Sequence, residues 1–300
     1  MSRVLVTGVD GFTGRYLAPL LAQQGHEVHG LVQREPAVGT APLAGVQALH
    51  ASDLLDADGL QRVIAAVRPE QVAHLAGIAQ VNHHDVGLIY RVNLIGTRML
   101  LGALASTDAP PSAILLASSA NIYGNSTAGV LDETITPAPA NDYGVSKLAM
   151  EYMAATWQAR LPISVVRPFN YTGIGQSEDF LLPKIVAHFR RRAPVLELGN
   201  LHVERDFSDV RDVAASYLRL LAAPVAGQVL NVCSGEGHAL QEVLRLAREI
   251  SGHQPEIRVN PAFVRANEVI KLVGSRQRLD AAIGHFPRHT LRQTLEWMLG

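Results

Sequence analysis

Cysteine is almost missing from this chain. Cys233 is the one thiol in 300 residues, so no intrachain disulfide can form, and a reducing, cytoplasmic setting is expected. Lysine is nearly as scarce: only Lys147, Lys184 and Lys271 contribute to a Lys+Arg total of 26. Neither charge sign prevails, since 26 basic residues face 27 acidic ones for a net charge of -1. That balance excludes a whole-chain basic field, and no nucleic-acid partner is expected. No uninterrupted apolar run approaches the roughly 20 residues that span a bilayer. Residues 1–7 (MSRVLVT) lack the apolar region and cleavage site of a signal peptide, so no membrane partner is expected either. Internal repeats and low-complexity linkers are also missing. What remains is an ordinary globular balance, 48% hydrophobic and 18% charged. It is long enough for one large α/β domain or two smaller ones.

The first half alternates short apolar runs with helix-like stretches. Strands are predicted at 3–7, 27–32, 46–51, 71–75 and 113–117, and at 163–166 just ahead of Arg167-Pro168-Phe169-Asn170. Helices are predicted at 13–24, 56–67 and 86–104. Alternation of this kind argues a parallel sheet with helices on both faces and right-handed crossovers. Residues 171–210 read as loop-rich with one helix near 182–192; a helix follows at 211–223, a strand at 228–232 and a helix at 239–251. The expected fold is a Rossmann-type, doubly wound α/β sheet in residues 1–168. A smaller lobe would span 169–300, with segments near 205–235 returning to the sheet.

Between the first strand and the first helix lies Thr7-Gly8-Val9-Asp10-Gly11-Phe12-Thr13-Gly14. Gly8 can make the tight turn, Gly11 lets backbone approach a pyrophosphate, and Gly14 permits close helix–sheet packing. The helix N-terminus then offers N–H groups to the anion. With 25 glycines in the chain, about 0.17 such spacings arise by chance, and position at the first strand–helix junction makes the motif informative. The acidic residue that would bind a ribose at the end of the second strand is replaced by Val32, followed by Gln33 and Arg34. Arg34 can accept a 2′-phosphate, which points to NADP, with NAD as the alternative. Asp53, beside Leu54, reads as an adenine contact or as the N-cap of the helix that follows.

Tyr143-Gly144-Val145-Ser146-Lys147 places a phenol and an ammonium four residues apart, on one helix face. A free tyrosine titrates near 10, and a neighbouring ammonium is expected to lower that value by stabilising phenolate. Such a pair can exchange a proton with a carbonyl or an alcohol. Ser118-Ser119-Ala120-Asn121-Ile122-Tyr123-Gly124 follows an apolar strand, where a strand-end hydroxyl can reach the same oxygen.

Together with His74-Leu75-Ala76-Gly77 and Asn93 with Gly96-Thr97, these motifs resemble the extended short-chain dehydrogenase/reductase superfamily over nearly the whole chain. The resemblance implies that Ser119 polarises a carbonyl, that Tyr143 is the general acid, and that Lys147 tunes Tyr143 and holds the nicotinamide ribose. It implies cofactor contacts from Phe12, Thr13, Leu54, Leu75, Ala76, Gly77, Asn93 and Phe169, with His74 packing at a strand end. The second half looks like the GDP-mannose-processing branch, through Gly199-Asn200-Leu201, Arg205-Asp206-Phe207, Asn231-Val232-Cys233-Ser234-Gly235 and 263–269. That branch implies a GDP-sugar held by Lys184, Arg205, Arg265 and Glu268, with Asn121 and Asn170 at the sugar. Ala266-Asn267 departs from the branch, which usually carries Pro and a small hydroxyl residue there.

Related dehydratases carry acidic residues just after the catalytic Ser or Thr, where this chain has Ala120 and Asn121. Elimination needs an acid and a base, so it is disfavoured and hydride transfer to a ketone remains; the resemblance implies reduction of the C4 ketone of GDP-4-dehydro-6-deoxy-D-mannose to GDP-D-rhamnose. The 6-deoxytalose C4 epimer and a 4-epimerase with tightly held NAD are alternatives; a dehydratase or a non-catalytic NADP sensor is disfavoured. No metal is expected, since His83, His84 and Asp85 in a loop do not specify a site. Cys233 reads as buried packing. The apolar helices at 86–104 and 147–159 imply, by resemblance, a homodimer's helical bundle.

Overall fold

A computed structural model describes residues 1–81, 83–126, 129–223, 225–264 and 269–300. Arg265 and Glu268 therefore lie outside the described residues. The chain runs β1 (Arg3–Thr7), α1 (Gly14–Gln23), β2 (Glu27–Val32), β3 (Ala48–Ala51), α2 (Ala57–Val67), β4 (Gln71–His74) and α3 (Val86–Tyr90). A π-helical turn, Arg91–Gly96, leads into α4 (Thr97–Ala105), followed by β5 (Ala113–Ala117), α5 (Asp142–Ala155) and β6 (Ile163–Pro168). The second half holds β7 (Asn170–Thr172), α6 (Leu181–Arg190), β8 (Val195–Leu198), β9 (Glu204–Asp209), α7 (Val210–Ala222) and β10 (Val229–Val232). It closes with β11 (Gly237–Ala239), α8 (Leu240–Ser251), β12 (Glu256–Val259), β13 (Lys271–Leu272), α9 (Gln277–Ile283) and α10 (Leu291–Leu299).

Among the described residues, seven parallel strands form one sheet in the order β10-β6-β5-β4-β1-β2-β3. The central strand shows why. Val4 and Val6 face one core with Leu17, Leu21, Val213 and Tyr217, while Leu5 faces the other with Leu60, Ile64, Leu100 and Leu116. Residues two apart share a face, so a strand buried on both sides reads as continuously apolar. The chain winds outward from β1 to β3, then returns to pair β4 on the opposite side of β1. That reversal opens a crevice at the C-terminal ends of β1 and β4, where doubly wound sheets bind ligands. The glycine loop, His74 to Gly77, and Ser119 all emerge at this edge.

The stretch expected to be loop-rich, 171–210, instead contributes strands. β9 pairs in parallel with β7 and β13 and antiparallel with β11, and β8 pairs with β12. These strands are two to six residues long, and β9 reads Glu-Arg-Asp-Phe-Ser-Asp, with polar side chains at five of its six positions. β8 and β9 are buried by α6, α8 and α10 packing around them, while β11 and β12 are largely exposed. An apolar-run criterion does not see that context. The helical run 86–105 also needs restating. Although Arg91 and Arg98 interrupt it, its mean hydropathy of 1.2 over 20 residues meets the length and composition of a membrane span. It packs against α2 and α5 in the core of the sheet layer.

Candidate active site

The glycine loop is built for close approach. Gly8 has φ +65, and its N–H donates to Leu31 O at 2.8 Å. A Cβ at Gly8 would stand 2.9 Å from Ala76 Cα, and one at Gly14 would fall 2.5 Å from Gly8 O. The loop thus lies directly on the β4 strand end. Thr13 precedes α1 without a side-chain cap, and no acidic residue sits in the first turn. An anion meets uncapped N–H groups there with no competing carboxylate. The side chain of Thr13 is engaged elsewhere, 2.8 Å from the Tyr171 hydroxyl, and Phe12 stacks on the Tyr171 ring at 5.8 Å. At the end of β2, Arg34 is exposed beside Asp53, whose carboxylate accepts from Gln33 Nε2 (2.9 Å) and Leu55 N (2.9 Å). These contacts, with Arg34, hold the Asp53 carboxyl below its ordinary range. The N-cap of α2 is Asp56, not Asp53. Leu54 is buried against Gly96.

Helix α5 starts where Asn141 Oδ1 accepts from Gly144 N at 2.8 Å, with Asp142 in the first turn. Tyr143 and Lys147 follow on one face, both buried. Ser119 closes the site from the end of β5. Its Oγ accepts from Asn121 N and Asn121 Nδ2, both at 3.1 Å. A hydroxyl has two acceptor lone pairs and one proton, so the proton of Ser119 stays available to the site, and the hydroxyl pulls the neighbouring Tyr143 phenol slightly down in its titration. Asn121, expected at the sugar, thus orients Ser119.

The titration of the pair differs from expectation. Burial pushes Tyr143 up to about 12, against a smaller opposing pull from Ser119. Lys147 bears the burial cost itself and falls to about 8, with Glu151 opposing the fall. Its Nζ donates to Ala117 O at 2.8 Å. Removing water destabilises phenolate and ammonium alike, and here that outweighs their mutual attraction. Tyr143 is therefore fully protonated at neutral pH, the form from which a general acid starts.

Three residues beneath the site carry a relay of hydrogen bonds in one direction. Thr97 Oγ1 donates to Asn93 O (2.7 Å), so it accepts from His74 Nε2 (2.9 Å). His74 Nδ1 then accepts from Thr7 Oγ1 (2.7 Å), which accepts from Ala76 N (3.1 Å). Burial, aided by the charge of Lys147, lowers His74 to about 3, so it stays neutral. Asn93 sits in the π-helical turn, a feature frequent at functional sites. It accepts from Ile78 N (2.8 Å) and donates to Ile78 O and Ser146 Oγ (both 3.1 Å). It therefore fixes the segment carrying Leu75, Ala76 and Gly77 against α5. A Cβ on Gly77 would stand 2.9 Å from Asn93 Oδ1 and 3.4 Å from Lys147 Nζ. The bare glycine keeps a cradle open over the ammonium, and a dinucleotide fits these residues.

On the C-terminal side, Asn170 opens β7 with its Nδ2 buried and unpartnered. Phe169 turns into a packed cluster with Tyr123, Leu131, Leu272 and Cys233, and its ring is buried there. Lys184 stands 3.9 Å over the Phe263 ring, its amine lowered by partial burial. Arg205 is buried and donates to Glu204 O (3.0 Å) and Ile270 O (3.1 Å). Asp206 accepts from Ser234 N (2.7 Å), Ser234 Oγ (2.6 Å) and Gly235 N (2.9 Å), tying the Ser-Gly turn to β9. His83 and His84 stack at 4.7 Å, and no metal-holding group of three ligands occurs among the described residues. Reading by motif assigned no role to Thr7, Tyr171, Glu151 or Arg167; helical spacing from Lys147 marks Glu151, while the contacts of Tyr171 and Arg167 are set by the tertiary fold.

Comparison with known proteins agrees with this geometry. The family described as GDP-mannose 4,6 dehydratase matches residues 5–298. GDP-6-deoxy-D-talose 4-dehydrogenase of Aggregatibacter actinomycetemcomitans is 34% identical over 298 residues, covering 99% of this chain and 96% of the relative. GDP-6-deoxy-D-mannose reductase of Pseudomonas aeruginosa is 34% identical over 308 residues, with coverage of 99% and 96%. A Burkholderia cenocepacia J2315 crystal structure, described provisionally as an epimerase, superposes with a TM-score of 0.94 at 53% identity, covering 99% and 96%. The structure of RMD from Pseudomonas aeruginosa complexed with NADPH gives 0.86 at 33%, covering 100% and 98%. With its glycine loop, its Ser-Tyr-Lys site and a match along almost its whole length, the chain belongs to the GDP-mannose 4,6-dehydratase family of extended short-chain dehydrogenases/reductases.

Proposed function

We propose that this enzyme, an NAD(P)-dependent oxidoreductase of nucleotide sugars, reduces the C4 ketone of GDP-4-dehydro-6-deoxy-D-mannose to GDP-D-rhamnose, with NADPH as the preferred donor. The observation that carries the reading is the proton inventory at Ser119. Both of its lone pairs serve Asn121, which leaves its one proton for the site, and the buried, protonated Tyr143 phenol beside it holds a second proton for the sugar oxygen. The reduced nicotinamide supplies the hydride when bound. The chain's own part is to hold the sugar, exclude water and deliver that proton. Gly8 to Gly14 receive the pyrophosphate, Lys147 with Asn93 and Gly77 frames the nicotinamide ribose, and Arg34 meets the 2′-phosphate. Lys184 and Arg205, with Arg265 and Glu268, take the GDP; Asn170 offers its unpartnered amide to the sugar. Guanidinium and ammonium groups suit phosphate oxygens.

Dehydration is disfavoured because Ala120 is buried and cannot exchange a proton, and Asn121 is committed to Ser119. The talose dehydrogenase relative favours a second reading, in which the opposite sugar face meets the nicotinamide and the product is GDP-6-deoxy-D-talose. Exposed Val86, Ile95, Val145 and Tyr152 on α3, the π-helical turn and α5 support pairing of two chains through these helices. The deciding experiment supplies GDP-4-keto-6-deoxymannose with NADPH or NADH, follows loss of reduced nicotinamide, and assigns C4 by nuclear magnetic resonance. Consumption with the rhamno product is expected; a talo product selects the second reading, and no consumption of either coenzyme rejects both.

A further inference from the structure

Directly behind the Tyr143–Lys147 pair lies a buried ion network that the proton chemistry above does not use. Glu151 is one helical turn beyond Lys147 on the same face of α5. Its carboxylate is chelated by Arg167 from β6, with Nε to Oε1 at 3.0 Å and Nη2 to Oε2 at 2.7 Å, and both side chains are 7% exposed. Ser118 Oγ also donates to Oε1. Ser118 stands between Ala117, whose carbonyl holds Lys147 Nζ, and Ser119 of the active site. Arg167 donates through Nη1 to the Tyr123 hydroxyl at 2.9 Å, and Tyr123 donates to Asn231 Oδ1 at 2.7 Å. The carboxylate therefore joins α5, which carries Lys147, to β6, which runs on toward Asn170 at the start of β7, and to Ser118 just after β5, next to Ser119.

The charge count is what makes the arrangement informative. Two buried cations flank one buried anion: Arg167 chelates Glu151, and Lys147 lies one helical turn from it on the same face. The other titratable groups around Lys147 are His74 from β4, which is neutral, and Tyr143, whose phenol is protonated. Among the described residues, Glu151 is the anion whose charge acts on the ammonium, and it is held by Arg167 at the same time. We propose that Glu151 is a positioning residue of the proton-transfer site, a buried carboxylate divided between Arg167 and Lys147 that keeps the lysine charged beneath the reaction centre. This rests on the assignment of Lys147 to the cofactor and proton site. The geometry gives the two partners opposite effects. Removing the carboxylate leaves Lys147 facing a bare guanidinium, while removing the guanidinium leaves the carboxylate wholly to Lys147. A packing role would give both changes the same effect on the ammonium, or none.

The scarcity of lysine makes a direct test possible. Carbon-13 labelling of lysine Cε in the full chain yields three signals, assigned with Lys184→Arg and Lys271→Arg, and each is titrated with pH. Glu151→Gln is expected to move the Lys147 midpoint down by about one pH unit and Arg167→Met to move it up. If Glu151→Gln does not fold, Arg167→Met still carries the test through its upward shift. A midpoint that stays in place in every variant that folds, or that moves the same way in both, overturns the proposal. The alkaline limb of reductase turnover should follow the same shifts. Shifts in the lysine signal without movement of that limb would leave the electrostatic role standing and reject the catalytic role of Lys147.

Discussion

Acidification should destabilise this protein through one residue, His74. It is fully buried and held neutral by a one-way chain of hydrogen bonds from Thr97 to Thr7, and its titration is pushed down from 6.5 to about 3. A folded-state value below the unfolded one means that the unfolded chain binds the extra proton first, so stability is lost as pH falls below 6.5. Between pH 7 and pH 5 the protonation weight of the unfolded imidazole, which titrates at about 6.5, grows by about 1.4 log units. At about 1.36 kcal/mol per unit, this amounts to about 2 kcal/mol. Any folded value below about 4 gives nearly the same loss, because the native histidine is still neutral at pH 5. Urea unfolding of the parent and of His74→Gln at both pH values isolates the contribution, since every other titrating group cancels in the double difference. Glutamine removes the titration and keeps hydrogen-bonding capacity. The parent should lose about 2 kcal/mol more than the variant over this interval. An equal loss in both would refute the neutral, proton-excluding histidine.

Other outcomes follow from the same physics. Lys147→Met should abolish reduction yet raise stability at pH 7. An ammonium lowered from 10.5 to about 8 costs about 3 kcal/mol that the apolar residue avoids, less the bond to Ala117 O. That cost in the parent is relieved as pH rises from 8 toward 10.5, so thermal melts of parent and variant should converge there. Gly14→Ala should block cofactor binding in a fluorescence titration and lower stability by about 1–3 kcal/mol, since its Cβ meets Gly8 O at 2.5 Å. Arg34→Ala should weaken NADPH roughly tenfold or more and leave NADH binding unchanged, consistent with the loss of one charged hydrogen bond.

Much of this was legible in the sequence because the nucleotide-binding sheet obeys local rules. Strands buried on both faces read as apolar runs, the glycine loop has a fixed place after the first of them, and Tyr143 and Lys147 are spaced by the helix itself. The rest depends on tertiary context. β9 is polar by composition and is buried by helices distant in the chain, so residues 171–210 read as loop. Tyr171 meets Thr13 across 158 residues, and no local pattern announces that contact. The upward shift of Tyr143 was missed for a different reason. Spacing shows that an ammonium is near but says nothing of how far water is excluded, and exclusion is the larger effect here.

The central claim is that Tyr143 hands its proton to the C4 oxygen of a GDP-bound keto sugar. The most direct measurement is a single turnover of GDP-4-keto-6-deoxymannose with NADPH by the parent and by Tyr143→Phe, with coenzyme binding measured alongside. The variant should bind NADPH as the parent does and reduce the sugar at least about 100-fold more slowly, as expected for loss of a positioned general acid. Turnover by Tyr143→Phe at the parent rate would contradict the account.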